Sequence, residues 1–287
     1  MALNFNIIGA GRLGKAIAKA LIASGQAQLR AVCNSGFSTA QLAVKQISSG
    51  IAVSSLAALP AADITFITTP DDLIPQLAKQ LTKDKILKPQ SIVVHCSGVL
   101  STTALAPLRE LGCHLATIHP LRAFKAGSLD NSIFQGCDCV IEGDDEALSV
   151  ISNLFRHLGA RIIPIKQENK IIYHAAAVIA SNYLVTLAAT AMELFNEAGI
   201  SAGLAKQMTT NLMGSSLNNI VNSEYPAAAL TGPLQRGDTN TLSMHLDVLP
   251  ASIKDLYRSA ALATLPLTTL SDEMKMQIVD LLEGRRT

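Results

Sequence analysis

Residues 7–21 read IIGAGRLGKAIAKAL, with three glycines, Gly9, Gly11 and Gly14, set between an apolar run and an amphipathic one. Phe5–Ile8 is expected to form a short buried strand, and Leu13, Ile17 and Leu21 recur at helical spacing. A strand that turns at once into a helix needs backbone freedom at the turn, and glycine supplies it. The first turn of that helix leaves N–H groups unpaired and pointing toward an anion. In this setting G-x-G-x-x-G is the fingerprint of a dinucleotide pyrophosphate site, with Gly9, Gly11, Arg12, Leu13 and Gly14 forming the loop. The competing reading is glycines that serve only a tight strand–helix contact.

A chain of 287 residues is long enough for a sizeable core and two domains. The formal net charge is +1 and no basic stripe occurs, which argues against a nucleic-acid partner. The N-terminal stretch reads as a strand, not as a charged segment before an apolar one, so no secretory signal is expected. Five cysteines without a C-x-x-C fit a reducing, cytoplasmic setting and no disulfide framework. Cys137 and Cys139 would share one strand face, but no second ligand pair is near in sequence and no metal site is expected. Ile171–Met192 has no formally charged side chain, barring a protonated histidine, and is long enough to span a bilayer. Its His174, Ser181, Asn182, Thr186 and Thr190, and its richness in alanine, favour the buried centre of a helical domain over a membrane partner.

Apolar runs alternate with helical patterns through the first half. Strands are expected at Phe5–Ile8, Leu29–Cys33, Ile51–Val53, Ile64–Thr68, Ile92–His95 and His114–Ile118. Cys137–Glu142 and Arg161–Ile165 follow, flanking a helix near Glu146–His157. Such alternation implies an α/β fold with a doubly wound, Rossmann-type parallel sheet. Beyond Lys166 the strand pattern gives way to long helical stretches, which places a sheet domain at 1–165 and an all-helical domain at 166–287.

The second strand bears on the cofactor. An NAD site usually carries an acid about 20 residues after the glycines to bond the ribose 2′-hydroxyl. Here the strand ends Cys33-Asn34-Ser35-Gly36, with no acid. Asn34 and Ser35 could donate to a 2′-phosphate that a carboxylate would repel, and Arg12 could add a charge-assisted contact, so NADP is favoured. The plain alternative is that Asn34 and Ser35 only form a turn. In such sheets ligands bind beyond the carboxyl ends of the strands. Three of those ends are polar: Thr68-Thr69-Pro70-Asp71, His95-Cys96-Ser97-Gly98 and His119-Pro120-Leu121. Thr68, Thr69 and Pro70 would flank the cofactor, and Ser97-Gly98 would let backbone approach the nicotinamide.

The glycine loop followed by HCSG, HPLRAF, KIIYHAAAVIASNYL and ALTGPLQRGD resembles a Rossmann-like family whose C-terminal part was long catalogued as a domain of unknown function. That family is similar to ketopantoate reductase, pyrroline-5-carboxylate reductase and the β-hydroxyacid dehydrogenases. The resemblance implies an NADP domain, a helical substrate domain that pairs in a homodimer, and reduction of a small molecule. In the β-hydroxyacid dehydrogenases a helix here carries Lys-x-x-x-Asn, with lysine handling the proton. This chain matches the lysine with Lys170 but has His174 where the asparagine stands.

Lys170 and His174 are four residues apart and share a helix face, with Asn182 two further turns along. Either Lys170 or His174 could be the general acid, and histidine needs less tuning for that role. The alternatives are a solvated lysine and a hydrogen-bonded core histidine. Arg236, in the shaped loop Thr231–Asp238, offers a planar fork for a substrate carboxylate, unless it pairs with Asp238. His119 is a further candidate substrate contact, and His245 has the look of a packing residue. Together these residues suggest an NADPH-dependent reductase of a small carboxylated 2-oxo compound, with ketopantoate as the first substrate to test. The alternatives are an imine reductase and a dinucleotide-binding protein without turnover.

Overall fold

The computed structural model describes residues 3–124 and 130–285. The chain divides into two compact units, Met1–Ala180 and Ser181–Thr287.

The first unit opens with β1 (Leu3–Ile8), α1 (Arg12–Ala23), β2 (Ala27–Cys33), α2 (Phe37–Ile47) and β3 (Ile51–Val53). Next come β4 (Ile64–Ile67), α3 (Ile74–Lys83), β5 (Ile92–His95), a 3-10 stretch at Thr102–Leu111, and β6 (His114–Pro120). β7 (Asp138–Gly143), α4 (Asp145–His157), β8 (Arg161–Pro164) and α5 (Lys170–Val178) complete it. One eight-stranded sheet results, in the order β3-β2-β1-β4-β5-β6-β7-β8. Its first six strands have the doubly wound arrangement, reversing direction of travel between β1 and β4.

β1, β4 and β5 end in unbroken buried runs, as strands covered on both faces do. Phe5, Ile7, Ile17, Phe66, Phe134 and Phe155 pack together on one side of the sheet. Ile8, Ile67, Ile74, Leu81, Leu105 and Leu115 pack on the other.

The sheet departs from the expected all-parallel pattern at one place. β7 pairs with β6 antiparallel, and β8 follows β7 in parallel, so the last two strands run against the rest. Between β6 and β7 the described residues form only turns, and an antiparallel neighbour needs no crossover helix. The expected parallel sheet is corrected accordingly.

The second unit is helical: α6 (Leu184–Glu197), α7 (Ala202–Asn222), the single turn α8 (Pro233–Arg236), α9 (Thr239–Val248), α10 (Ala251–Thr264) and α11 (Asp272–Glu283). Leu234, Leu242, Leu246, Leu265, Ile278 and Leu282 form its core. Asp238 caps α9 by accepting from Thr241 N–H, and Ser271 caps α11 by accepting from Met274 N–H.

The helical stretch Gln167–Glu197 is 31 residues and holds an 18-residue window with a mean hydropathy of 1.6, long and apolar enough to cross a membrane by length and composition alone. None of its most apolar window is buried. The expectation that Ile171–Met192 forms the buried centre of a domain is therefore not met. The core of the second unit is built by α8–α11, and the apolar residues of α6 are not part of it. The compact-unit boundary at 180/181 also falls beyond the 165/166 boundary read from the sequence, because the start of α5 packs on the sheet through Lys170.

Candidate active site

The glycine loop is shaped by what it must avoid. Gly9 has φ +88°, in the left-handed region, and a Cβ there would lie 2.5 Å from Thr69 Cγ2. At Gly14 a Cβ would meet Thr68 Oγ1 at 2.4 Å, while that hydroxyl donates to Gly9 O at 2.7 Å. A Cβ on Gly11, by contrast, would meet only Gly9 O, at 3.9 Å, and otherwise open space. The N–H groups of Arg12, Leu13 and Gly14 open α1 and have no intrahelical acceptor.

Gly9–Gly11 form one wall of a groove of ≈ 360 Å³, with Asn34, Ser35 and Thr39 on a second side and Thr68–Pro70 on a third. Thr69 Oγ1 in this lining is buried without a hydrogen-bond partner among the described residues. A bare glycine facing open space, free helix-start N–H groups and an unpartnered hydroxyl fit the diphosphate and ribose of a dinucleotide. Lys15 and Gln46 complete the rim, and Lys15 Nζ donates to Gln46 Oε1 at 2.8 Å. That partner is neutral, so the lysine charge is not compensated by it.

The expected role of Asn34 changes. Its Oδ1 accepts from Ala10 N–H at 2.7 Å, and its Nδ2 donates to Thr39 Oγ1 at 3.3 Å. The side chain fastens the glycine loop to the end of β2, leaving Ser35 and Lys15 as the nearer polar groups for a ribose substituent.

A second constellation lies at the ends of β5 and β6. Lys170, the first residue of α5, is 1 % exposed. Its ammonium donates to Ser97 O at 3.2 Å and Thr117 Oγ1 at 2.8 Å. Burial pulls its pKa down to about 8, against an opposing pull from the Glu142 carboxylate. The solvated-lysine reading is excluded by this burial. Glu142 is itself held by Thr102, whose N–H and hydroxyl donate to it at 3.0 and 2.6 Å.

Above Lys170, His119 Nδ1 and Tyr173 OH are hydrogen-bonded at 2.7 Å. Burial, then the nearby His174 and Lys170, depress the His119 pKa to about 4, so its imidazole is neutral at neutral pH. The rings of His119 and His174 stand 5.9 Å apart. Both rings close on Gly98: a Cβ there would lie 2.5 Å from His174 Cδ2 and 2.8 Å from His119 Cε1. His174 is half-buried and its imidazole makes no hydrogen bond among the described residues, so it is not the bonded core histidine of the alternative reading.

Ser97 works within the chain. Its hydroxyl donates to Asp71 Oδ2 at 2.7 Å and accepts from Val99 and Leu100 N–H at 3.2 and 3.0 Å, fixing the turn that presents Gly98. Behind it, His95 Nδ1 accepts from Ser97 N–H at 3.2 Å, which leaves Nε2–H to donate to Ser101 O at 3.1 Å. Burial takes the His95 pKa down to about 4, in keeping with that neutral ring.

Thus Gly98, His119, Lys170 and His174 come together, and Gly9, Gly11, Thr68, Thr69 and Pro70 line the separate groove, with Gly14 packed against Thr68 behind it. Arg12 and Leu13 start α1. Asn182 and Arg236 belong to the second unit. Asn182 is exposed within a π-helical turn, Ile179–Tyr183. Arg236 is exposed, and the expected alternative of an Arg236–Asp238 pair does not form: Asp238 instead accepts from Thr241 N–H and Oγ1 at 3.1 and 2.7 Å. His245 bonds Tyr257 OH through Nδ1 at 2.9 Å and packs against its ring. Cys137 and Cys139 are buried free thiols; Cys139 lies in β7, Cys137 stands just before that strand, and the Cys137 thiol donates to Asp138 O at 3.5 Å. Sequence reading gave no role to Asp71 or Tyr173, though both stand in stretches it singles out, and passed over Thr117 and Lys15. Tyr173 is the one a helical wheel could have found, since it lies between Lys170 and His174 in the same two turns.

Residues 1–120 match the model of the Rossmann-like domain, and residues 137–264 match that of DUF2520, a domain of unknown function. Among curated proteins no sequence matches. A provisionally assigned NADP oxidoreductase of Bacteroides fragilis has a similar structure, with a TM-score of 0.77 at 20% identity, covering 92% of this chain and 98% of that one. The 1-pyrroline-5-carboxylate reductase of Streptococcus pyogenes follows at 0.60 and 16%, covering 99% and 98% of the two chains. The Plasmodium falciparum pyrroline carboxylate reductase, solved with NADP bound, gives 0.58 at 12%, covering 97% and 99%. At these identities the likeness is one of fold. The glycine loop, the doubly wound sheet and the helical C-terminal region therefore have one account: the chain joins an N-terminal Rossmann-like domain to a DUF2520 domain.

Proposed function

We propose that this protein is an NADPH-dependent reductase of a small carboxylated 2-oxo compound, with ketopantoate the first candidate. The observation that carries the proposal is the convergence of His119 and His174 on Gly98, over a buried Lys170 and in the same unit as the nucleotide groove. The free N–H groups of the glycine loop would hold the diphosphate, with Gly11 admitting it to backbone contact. Lys15 and Ser35 give the groove a positive, donor-rich rim, which supports NADP over NAD. The NADP named for one structural neighbour supports the same choice. The bound cofactor supplies the hydride.

The chain's own residues manage charge and protons. His174, with an unengaged imidazole at Gly98, donates the proton that the carbonyl oxygen gains on reduction. Lys170 is a fixed positive charge bonded to the Ser97 carbonyl, and it favours negative charge developing beside Gly98. Arg236 offers a guanidinium fork for a carboxylate and Asn182 an amide, on residue chemistry alone.

Reduction of a cyclic imine is the second reading, favoured by the pyrroline-5-carboxylate reductases among the structural neighbours. NADPH oxidation over a panel of 2-oxo acids and cyclic imines tests both, with rescue of a ketopantoate-reductase-deficient strain as the second measurement. No turnover across the panel would leave a dinucleotide-binding protein.

We also infer a homodimer in the cytoplasm. The uncovered apolar surface of α6 and α7 supports the first, with a second copy as the cover, and five free cysteines support the second.

A further inference from the structure

We propose that Tyr173 locks His119 as the neutral tautomer protonated on Nε2, so that His119 presents an N–H donor at Gly98 and the site selects an oxygen acceptor over a protonated imine. This deepens the reductase reading and rests on it for the substrate class, though not for the tautomer.

The geometry has three parts. Tyr173 OH and His119 Nδ1 are 2.7 Å apart, so one of the two carries the shared proton toward the other. A phenol is a far better donor than a neutral imidazole N–H, and an imidazole nitrogen is a far better acceptor than a phenol oxygen. Tyr173 O–H therefore donates, Nδ1 accepts, and the ring's proton stays on Nε2, because the bond made by one ring nitrogen sets the state of the other. Nε2 is also the nitrogen on the Gly98 side, 3.0 Å from where a Cβ on Gly98 would stand.

The neighbouring charges act in the same direction. Lys170 and His174 face His119 and oppose a proton on it, while the Asp71 carboxylate favours one. Burial, with the Asp138 carboxylate nearby, holds the Tyr173 phenol in the protonated, donating form. A neutral Nε2–H next to a positive lysine suits a carbonyl or carboxylate oxygen. It opposes an iminium, which brings a positive N–H of its own. Tyr173 is thus a positioning residue acting through His119.

Imidazole nitrogens report this directly. Long-range proton–nitrogen spectra of the full-length, nitrogen-15-labelled chain, without cofactor or substrate, should show six histidines, with His119 identified by its loss in His119→Gln. At neutral pH, and on into mildly acidic solution, His119 should be protonated on Nε2 alone. Protonation on Nδ1, or an imidazolium at neutral pH, overturns the proposal. Tyr173→Phe should give mixed tautomers, and an unchanged pattern in the folded variant removes Tyr173 from the argument. Should that variant fail to fold, 3-fluorotyrosine labelling acidifies the hydroxyl in place, and an unmoved Nδ1 signal overturns the proposal. Turnover of cyclic imines in preference to 2-oxo acids overturns the substrate class. No turnover of either would defeat the reductase reading while leaving the spectra as they are.

Discussion

The ammonium of Lys170 donates to the hydroxyl of Thr117 across 2.8 Å, joining the first turn of α5 to β6 where neither group meets solvent. With its pKa drawn from 10.5 to about 8, the lysine makes folding depend on pH. Between those two values the unfolded chain binds more protons than the folded one, so stability rises as pH rises through that window. The cost is present in full below the lower value and corresponds to about 3 kcal/mol. Lys170→Met should abolish this rise. Urea midpoints of wild type and variant, taken across the window, check it, and parallel pH profiles would refute it.

The groove gives opposite expectations for two glycines. Gly11→Val should fold normally and lose binding of either reduced cofactor, because its side chain enters open groove. Gly9→Val should lose stability, since Thr69 stands in the way and φ is positive. Fluorescence titration with NADPH and thermal melts separate the two. The same titration should favour NADPH over NADH by roughly tenfold, about 1.4 kcal/mol, in the wild type. Equal affinities would remove the case for NADP.

Gly98→Ala should preserve the fold and cofactor affinity while lowering turnover. The added methyl displaces the imidazoles of His119 and His174, whose ring atoms lie within 3.0 Å of its position. Wild-type turnover in the alanine variant would show that neither ring needs its place.

His174→Ala should reduce turnover by roughly 10²–10⁴-fold, the range for a positioned acid–base group. NADPH affinity should stay close to wild type. Because Lys170 loses its proton near pH 8, activity should fall above that value, and Lys170→Arg should carry it to higher pH. A folded His174→Ala within threefold of wild type would move the acid to another residue.

Charge placed on the uncovered helices should break the dimer. Val185 on α6 and Leu212 and Val221 on α7 are 68%, 64% and 80% exposed. Val185→Glu with Leu212→Glu should shift light scattering from dimer to monomer; a wild type that is monomeric at micromolar concentration would end the proposal.

The glycine loop and the strands were legible because their signals are local. A buried strand shows as an apolar run, and a loop as glycine spacing. The site was legible only in part, since its contacts join distant residues: Tyr173 lies 54 positions from His119, and Lys170 lies 53 from Thr117. Asn34 after β2 is offered by the sequence as a donor to a ribose phosphate or as a turn residue, and its bond to Ala10 N–H at 2.7 Å depends on a contact that sequence spacing does not carry. The reversal at β7 was hidden because an apolar run does not carry the sense in which its strand travels.

That reversal determines which way α5 points. β8 travels away from the carboxyl ends of the parallel strands and ends beside Ile141, opposite Ile118, so the helix after it turns back and runs alongside β6 in the direction of β6. A helix rises about 1.5 Å per residue and a strand about 3.3 Å, so the three helical steps from Lys170 to Tyr173 cover about 4.5 Å and the two strand steps from Thr117 to His119 about 6.6 Å. Lys170 meets Thr117 while Tyr173, about one turn higher, meets His119, so helix and strand run side by side and the side chains span the difference in pitch. Had β7 run the other way, the same helix would descend, with the lysine at the mouth of the site and the histidine at its floor.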